Sequence, residues 1–256
     1  MKTLRHYRTF LGWFMTCLMA LWLPGQSLQA ATLTWINGSG TWDTTNPFWN
    51  PGAVIWNNGA FDTALFGTSA GAETVTLGTG ITTGGLIFNN ASAAGYTITG
   101  NTLTLAPATG VISPIIAVNN LGFGTNRATI SSTLAGASGF TKTGNGTLRL
   151  TADNSATLSG DIAIKGGSVV ITNQNQLGST TGTAISVTGI ANTTGAAGTA
   201  GFTGGALVLQ GSGVSAGSTA GITLNRELSL AGRGPGANNS TGALVSIGYN
   251  TLAGGL

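Results

Sequence analysis

KTGNGTLRLTADNSATLSGDIAIKGGSVVI, residues 142–171, decides the fold. Three short runs within it, TLRL, DIAI and SVVI, carry an apolar residue at every second position. In an extended chain that spacing sends the apolar side chains to one face. The joints between the runs are Gly, Asn, Asp and Ser, residues that accept positive φ or hydrogen-bond their own backbone. Strand, corner, strand, corner with no helical period is one coil of a β-solenoid. Such a coil cannot bury its apolar face alone, so others of its kind must stack on it.

The same signal recurs on both sides. Before the stretch, strands are predicted at TVTL (74–77), GLIF (85–88), YTIT (96–99), TLTL (102–105), IIAV (115–118) and ATIS (128–131). After it they are predicted at TAISV (183–187), ALVL (206–209), ITL (222–224), ELSL (227–230) and ALVSI (243–247). Related runs return every ~20–30 residues, the period of solenoid coils. Between 188 and 205, and again from 211 to 220, the chain is nearly all Gly, Ala, Thr and Ser. These stretches are expected to be long turns on one side of the solenoid. The fold expected is all-β: a parallel β-helix with Val, Ile and Leu inward and Thr outward.

Composition excludes several functions. Charged residues are only 6% of the chain, against about 25% in ordinary globular domains. Residues 1–30 read as a secretory signal peptide: Lys2, Arg5 and Arg8, an apolar run from Phe10 to Leu23, a break at Pro24 and Gly25, and a small residue, Ala30, for cleavage. Removing them takes away His6, Cys17 and three of the nine basic residues, leaving six bases against six acids. A neutral mature chain loses the basic surface that nucleic-acid binding needs. Without His or Cys it has no imidazole base, thiol nucleophile, disulfide or His/Cys metal ligand. No later apolar run reaches the ~20 residues of a spanning helix, so no membrane span is expected in the mature segment.

Residues 31–72 differ from the rest. Trp35, Trp42, Trp49 and Trp56 are spaced seven apart, yet Gly38, Gly40, Pro47, Pro51 and Gly52 forbid a continuous helix. Short strands and tight turns at Asn37-Gly38 and Asn58-Gly59 are expected instead. An aromatic cap over the N-terminal end of the solenoid accounts for them, since an open end must be covered. The alternative is a platform of indole rings on which sugars stack. Residues 73–256 are then the solenoid proper, incomplete at its C-terminal end.

β-Helices also host polysaccharide lyases and hydrolases, whose sites need paired carboxylates or carboxylate-bound calcium. Asp153 and Asp161, with Lys142, Arg149 and Lys165 nearby, are the nearest approach to such a group. Both acids occupy turn positions where Asp has an ordinary structural role. Arg226 and Glu227 are adjacent on a strand and point to opposite faces, so they form no dyad. Nothing qualifies as a catalytic, cofactor or metal residue, and no cofactor is expected.

The pattern GxGTLxLxxxNxxxLSGxIxIxxGxxxI, carried by Gly144, Gly146, Leu148, Leu150, Asn154, Leu158, Gly160, Ile162, Ile164 and Gly167, resembles the autotransporter-associated β-strand repeat, also called the passenger-associated transport repeat. Residues 222–256 and the opening TWINGSGTWDTTNPFWN resemble segments of the same family. The resemblance implies a right-handed parallel β-helix, exported and carried at or beyond the outer membrane. It implies a non-enzymatic passenger, stalk or adhesin scaffold, with the secretion machinery as partner during export and host or matrix glycans as candidate adhesive targets. An extracellular carbohydrate-binding β-helix is the second reading, and a lyase or hydrolase the third.

Overall fold

The computed structural model describes residues 30–68, 71–89, 95–119, 127–180, 183–188, 204–212, 221–232, 234–235 and 242–255. Residues 1–29, within the expected signal peptide, and most of both Gly/Ala/Thr/Ser-rich stretches lie outside these residues. So do Asn90 and Asn120, two of the corner asparagines of the sequence.

Successive strands do not pair with each other. From Gly85–Asn89 the chain passes to Tyr96–Gly100, then to Leu103–Leu105, and returns at Ile115–Asn119 beside its starting strand. The return is parallel and in register, Leu86 opposite Ile116 and Phe88 opposite Val118. Three faces therefore grow together as the chain winds. The first is a nine-stranded sheet that runs from Trp49–Asn50 through Thr32–Trp35 to Glu227–Ala231. The second has eight strands, from Gly40–Trp42 to Leu244–Ile247. The third is narrower: Ile81–Thr83, Leu103–Leu105 and Leu134–Ala135, and later Thr223–Leu224 beside Thr251–Leu252. This is a parallel β-solenoid, as the sequence predicts.

Register explains the composition. Leu33, Ala64, Leu86, Ile116, Lys142, Ile164, Val187 and Leu230 form one inward file along the first sheet. Seven are apolar, and aligned aliphatic side chains on neighbouring strands stabilise a sheet by cross-strand packing. A second file, Trp35, Phe66, Phe88 and Val118, places the rings of Phe66 and Phe88 in a stack 5.1 Å apart. The tightest coils offset partners by only about twenty residues, as with Arg127 opposite Thr147. Wider offsets, such as Ala206 opposite Ser168, contain the small-residue stretches. Corners this tight leave little room for a Cβ. Gly167 has φ +62°, and a Cβ there would run into the Gly146 carbonyl of the preceding coil.

Every strand the sequence predicts is present to within a few residues. Four more are not evident in it: Ile81–Thr83, Leu134–Ala135, Phe140–Thr143 and Thr251–Leu252. A single 3-10 turn, Gln174–Leu177, is the helical element of the described residues. On the strand Glu227–Ala231 Leu230 is 39% exposed although Val187 beside it is fully buried, while Leu228 on the same strand stays buried.

Candidate functional site

The four spaced tryptophans come together at the N-terminal end. Trp35, Trp42, Trp49 and Trp56 are 4, 0, 0 and 1% exposed. Trp49 is the hub, with ring centroids 4.7 Å from Trp56, 4.9 Å from Trp42 and 5.2 Å from Trp35. Trp35 donates its indole N–H to the Gly38 carbonyl (2.7 Å), and Trp56 donates to Thr82 (3.0 Å). Trp42 Nε1 is buried without a partner. Tilted and edge-on packing uses up the ring faces, so no indole face is open to a sugar. Beside this cluster Trp49–Asn50 runs antiparallel to Thr32–Trp35, unlike the parallel pairing that follows.

The residues of the GxGTLxL pattern lie in the core or at corners between strands. Leu148, Leu150, Leu158, Ile162 and Ile164 are buried in the core. Gly144 and Gly160 take positive φ at corners, and a Cβ at Gly146 would press into Val118. Asn154 does the most. Its Oδ1 accepts from the Leu134 N–H (2.7 Å) in one coil, and its Nδ2 donates to the Gln176 carbonyl (2.7 Å) in the next. On the third face this side chain takes the place of a strand. Asn58 does the same at the other edge of that three-stranded sheet, accepting from the Thr82 N–H (2.8 Å) and donating to the Gly80 carbonyl (3.0 Å). A side-chain amide carries the donor and acceptor of a peptide unit, so asparagine can finish a strand edge.

The acids have no catalytic arrangement. Asp153 Oδ1 accepts from the N–H (2.9 Å) and hydroxyl (2.6 Å) of Ser155, and Oδ2 from Asn175 (2.8 Å). Those bonds hold its carboxyl below the usual carboxylate range. Asp161 accepts from the Ala184 N–H (2.8 Å). Arg226 is buried in the bend just before the strand Glu227–Ala231, whose first residue, Glu227, is exposed; the two are not neighbours on one strand as the sequence suggested, and they form no dyad. Among the described residues no three His, Cys, Asp or Glu side chains gather to hold a metal. Nor is any described helix long and apolar enough to cross a membrane.

Two buried cations were not recognised as such in the sequence. Arg226 donates to the carbonyls of Leu177 (2.5 Å), Gly160 (3.2 Å) and Ala184 (3.3 Å), bridging three coils. Burial lowers its pKa to about 10, with Asp161 acting the other way. Lys142 is fully buried, and burial lowers its pKa from the usual 10.5 to about 7. The unfolded chain then holds more protons than the folded one between those two values, so stability rises with pH across that interval. Residues 31–256 contain no His or Cys, and burial raises the Tyr96 phenol above its usual 10. We expect unfolding in urea to show stability increasing from pH 7 to 9.5, and Lys142→Met to flatten that slope. An unchanged slope in the variant would assign it to another group.

The outer surface is nearly uncharged. Outward positions of the first sheet include Thr34, Thr63, Thr141, Ser186 and Ser229, in line with the strand preference of Thr. Leu65, Ile87, Ile115 and Ala117 interrupt that pattern. There a shallow cleft of about 710 Å³ opens between Phe61, Ile87, Val111 and Ile115.

Comparison with known proteins agrees with this architecture. The chain is 38% identical over 213 residues to the adhesin BmaC autotransporter of Brucella suis biovar 1 (strain 1330), a match covering 80% of this chain and 5% of that protein. No protein-family model matches the chain, and no solved structure does. The chain thus spans about one-twentieth of the length of the relative it matches. Over most of its own length the chain is autotransporter-related.

Proposed function

We propose that the chain is a non-enzymatic segment of an exported autotransporter passenger, serving as stalk or adhesin scaffold at or beyond the outer membrane. The observation that carries this reading is the 38% identity to an autotransporter adhesin, which runs across the stacked coils rather than through one local motif. The use of the polar side chains agrees with it. Asn58, Asp153, Asn154, Asp161 and Arg226 all join one coil to another. In this reading the coils are autotransporter-associated β-strand repeats wound right-handed. The tryptophan cluster caps the N-terminal end, and residues 1–30 are removed on export with the help of the secretion machinery.

Surface exposure is the direct test. Cells that carry the gene are treated intact with a protease and probed with an antibody to residues 31–256. Loss of the signal while a periplasmic marker survives is expected; full protection would place the protein inside the envelope and end the proposal. Beads coated with the purified chain should then adhere to host cells or matrix above uncoated beads. Equal retention would leave the chain a stalk and remove the adhesive role.

A further inference from the structure

Lys142 stands in the middle of an otherwise apolar inward file, opposite Ile116 on one side and Ile164 on the other. Its Nζ is directed to four backbone carbonyls: Thr143 (2.7 Å), Gly146 (2.9 Å), Gly166 (3.0 Å) and Gly144 (3.1 Å). All four lie at one corner, where two successive coils turn from the first sheet to the second. No carboxylate is among its partners. The corner is built largely of glycine. Gly144 takes φ +75°, Cβ atoms at Gly144 and Gly146 would crowd Val118, and one at Gly166 would crowd Gly144.

Carbonyl oxygens converging on one point form a negative cage. An ion stripped of water is stable there only if the oxygens replace its hydration shell, as in carbonyl-lined ion filters. An ammonium has three N–H donors and no acceptor, so it can point only donors at the converging oxygens, one N–H being shared between two of the four. A neutral amine would turn its lone pair toward one of them.

We propose that the Thr143, Gly144, Gly146 and Gly166 carbonyls form a monovalent-cation site, and that Lys142 fills it with a tethered cation. Cutting the lysine back opens the site to potassium or ammonium from solution. In its ammonium form the lysine occupies that site from within the chain.

The test uses the full chain and its Lys142→Ala variant, melted in potassium, ammonium, lithium or choline chloride at equal concentration, so that charge screening is the same throughout. The unaltered protein should melt at one temperature in all four. The variant should melt lower in lithium or choline and recover in potassium or ammonium, its Tm rising with the logarithm of ion concentration as for any ligand of the folded state. Lys142→Met, whose chain fills the space without charge, should not recover. Three results overturn the proposal: no cation dependence in Lys142→Ala, an equal potassium response in Lys142→Met, or a Lys142→Ala chain that stays unfolded in every salt. A separate reading comes from the unaltered protein by nitrogen-15 NMR at pH 6. A slowly exchanging NH3+ signal for Lys142 supports the cage, and exchange as fast as that of an exposed lysine contradicts it.

Discussion

Replacing Trp49 by alanine lowers the unfolding free energy by about 3–5 kcal/mol, the range for truncating a buried Phe or Trp to alanine. Several effects add at this position. The side chain is fully buried and packs on Trp35, Trp42, Trp56 and Phe66. Its backbone also pairs with Trp35 at the end of the first sheet. Trp56 bonds to Thr82, so a collapsing cluster would disturb the start of the third face as well. Urea unfolding followed by far-UV circular dichroism measures the loss without relying on the fluorescence that the substitution alters. Trp42→Phe is the comparison. It keeps most of the ring volume and removes an indole N–H that has no partner, so its cost should be far smaller. A loss below about 1 kcal/mol for Trp49→Ala would mean that the cluster does not hold the end of the solenoid.

The second large effect is expected at Asn154, from hydrogen bonding rather than volume. Asn154→Ala leaves the Leu134 N–H and the Gln176 carbonyl without their side-chain partner, in a place where Asn154 itself is buried. Each buried group left unpaired costs about 1–3 kcal/mol, so a total loss of at least about 2 kcal/mol is expected. Hydrogen exchange localises it: the Leu134 amide should change from protected to fast-exchanging while amides of the second sheet stay slow. Asn154→Asp keeps an acceptor for Leu134 but offers no donor to Gln176, and it buries a charge, so it should not restore stability. Protection of Leu134 unchanged in Asn154→Ala would show that the side chain is not finishing the strand edge.

The two substitutions mark what the sequence made legible and what it concealed. Alternation in DIAI and TAISV of the first sheet, and in TVTL, YTIT, TLRL and SVVI of the second, revealed those two faces, because runs of four or five residues display a period of two. The third face is different. Ile81–Thr83 and Leu134–Ala135 are too short to show any period, and between Leu134 and Thr223 the strands give way to Asn154, a bridge at Leu158 and the turn at Gln174–Leu177. Side-chain amides supply part of that face, and hydropathy does not detect an asparagine acting as peptide backbone. Phe140–Thr143 was hidden for another reason: its inward position holds a lysine, which reads as a surface residue until four carbonyls surround it. The tryptophan spacing pointed to a cluster, but burial of all the ring faces depends on distances that spacing does not reveal. Between corner asparagines one contact is direct: the Asn119 amide donates to Asn89 across one register step (2.7 Å).

All of this rests on coils stacked in parallel with one fixed register. Thr129 and Arg149 are register partners on adjacent strands of the second sheet and point away from the core. Parallel neighbours lie ~4.8 Å apart, within the range a disulfide spans, and residues 31–256 hold no other cysteine. Thr129→Cys with Arg149→Cys should cross-link on mild oxidation, read by mass spectrometry. The control pair Thr129→Cys with Thr147→Cys, displaced by two residues, should cross-link poorly. Preferential bridging of the displaced pair, or of neither, would contradict the register on which the solenoid is built.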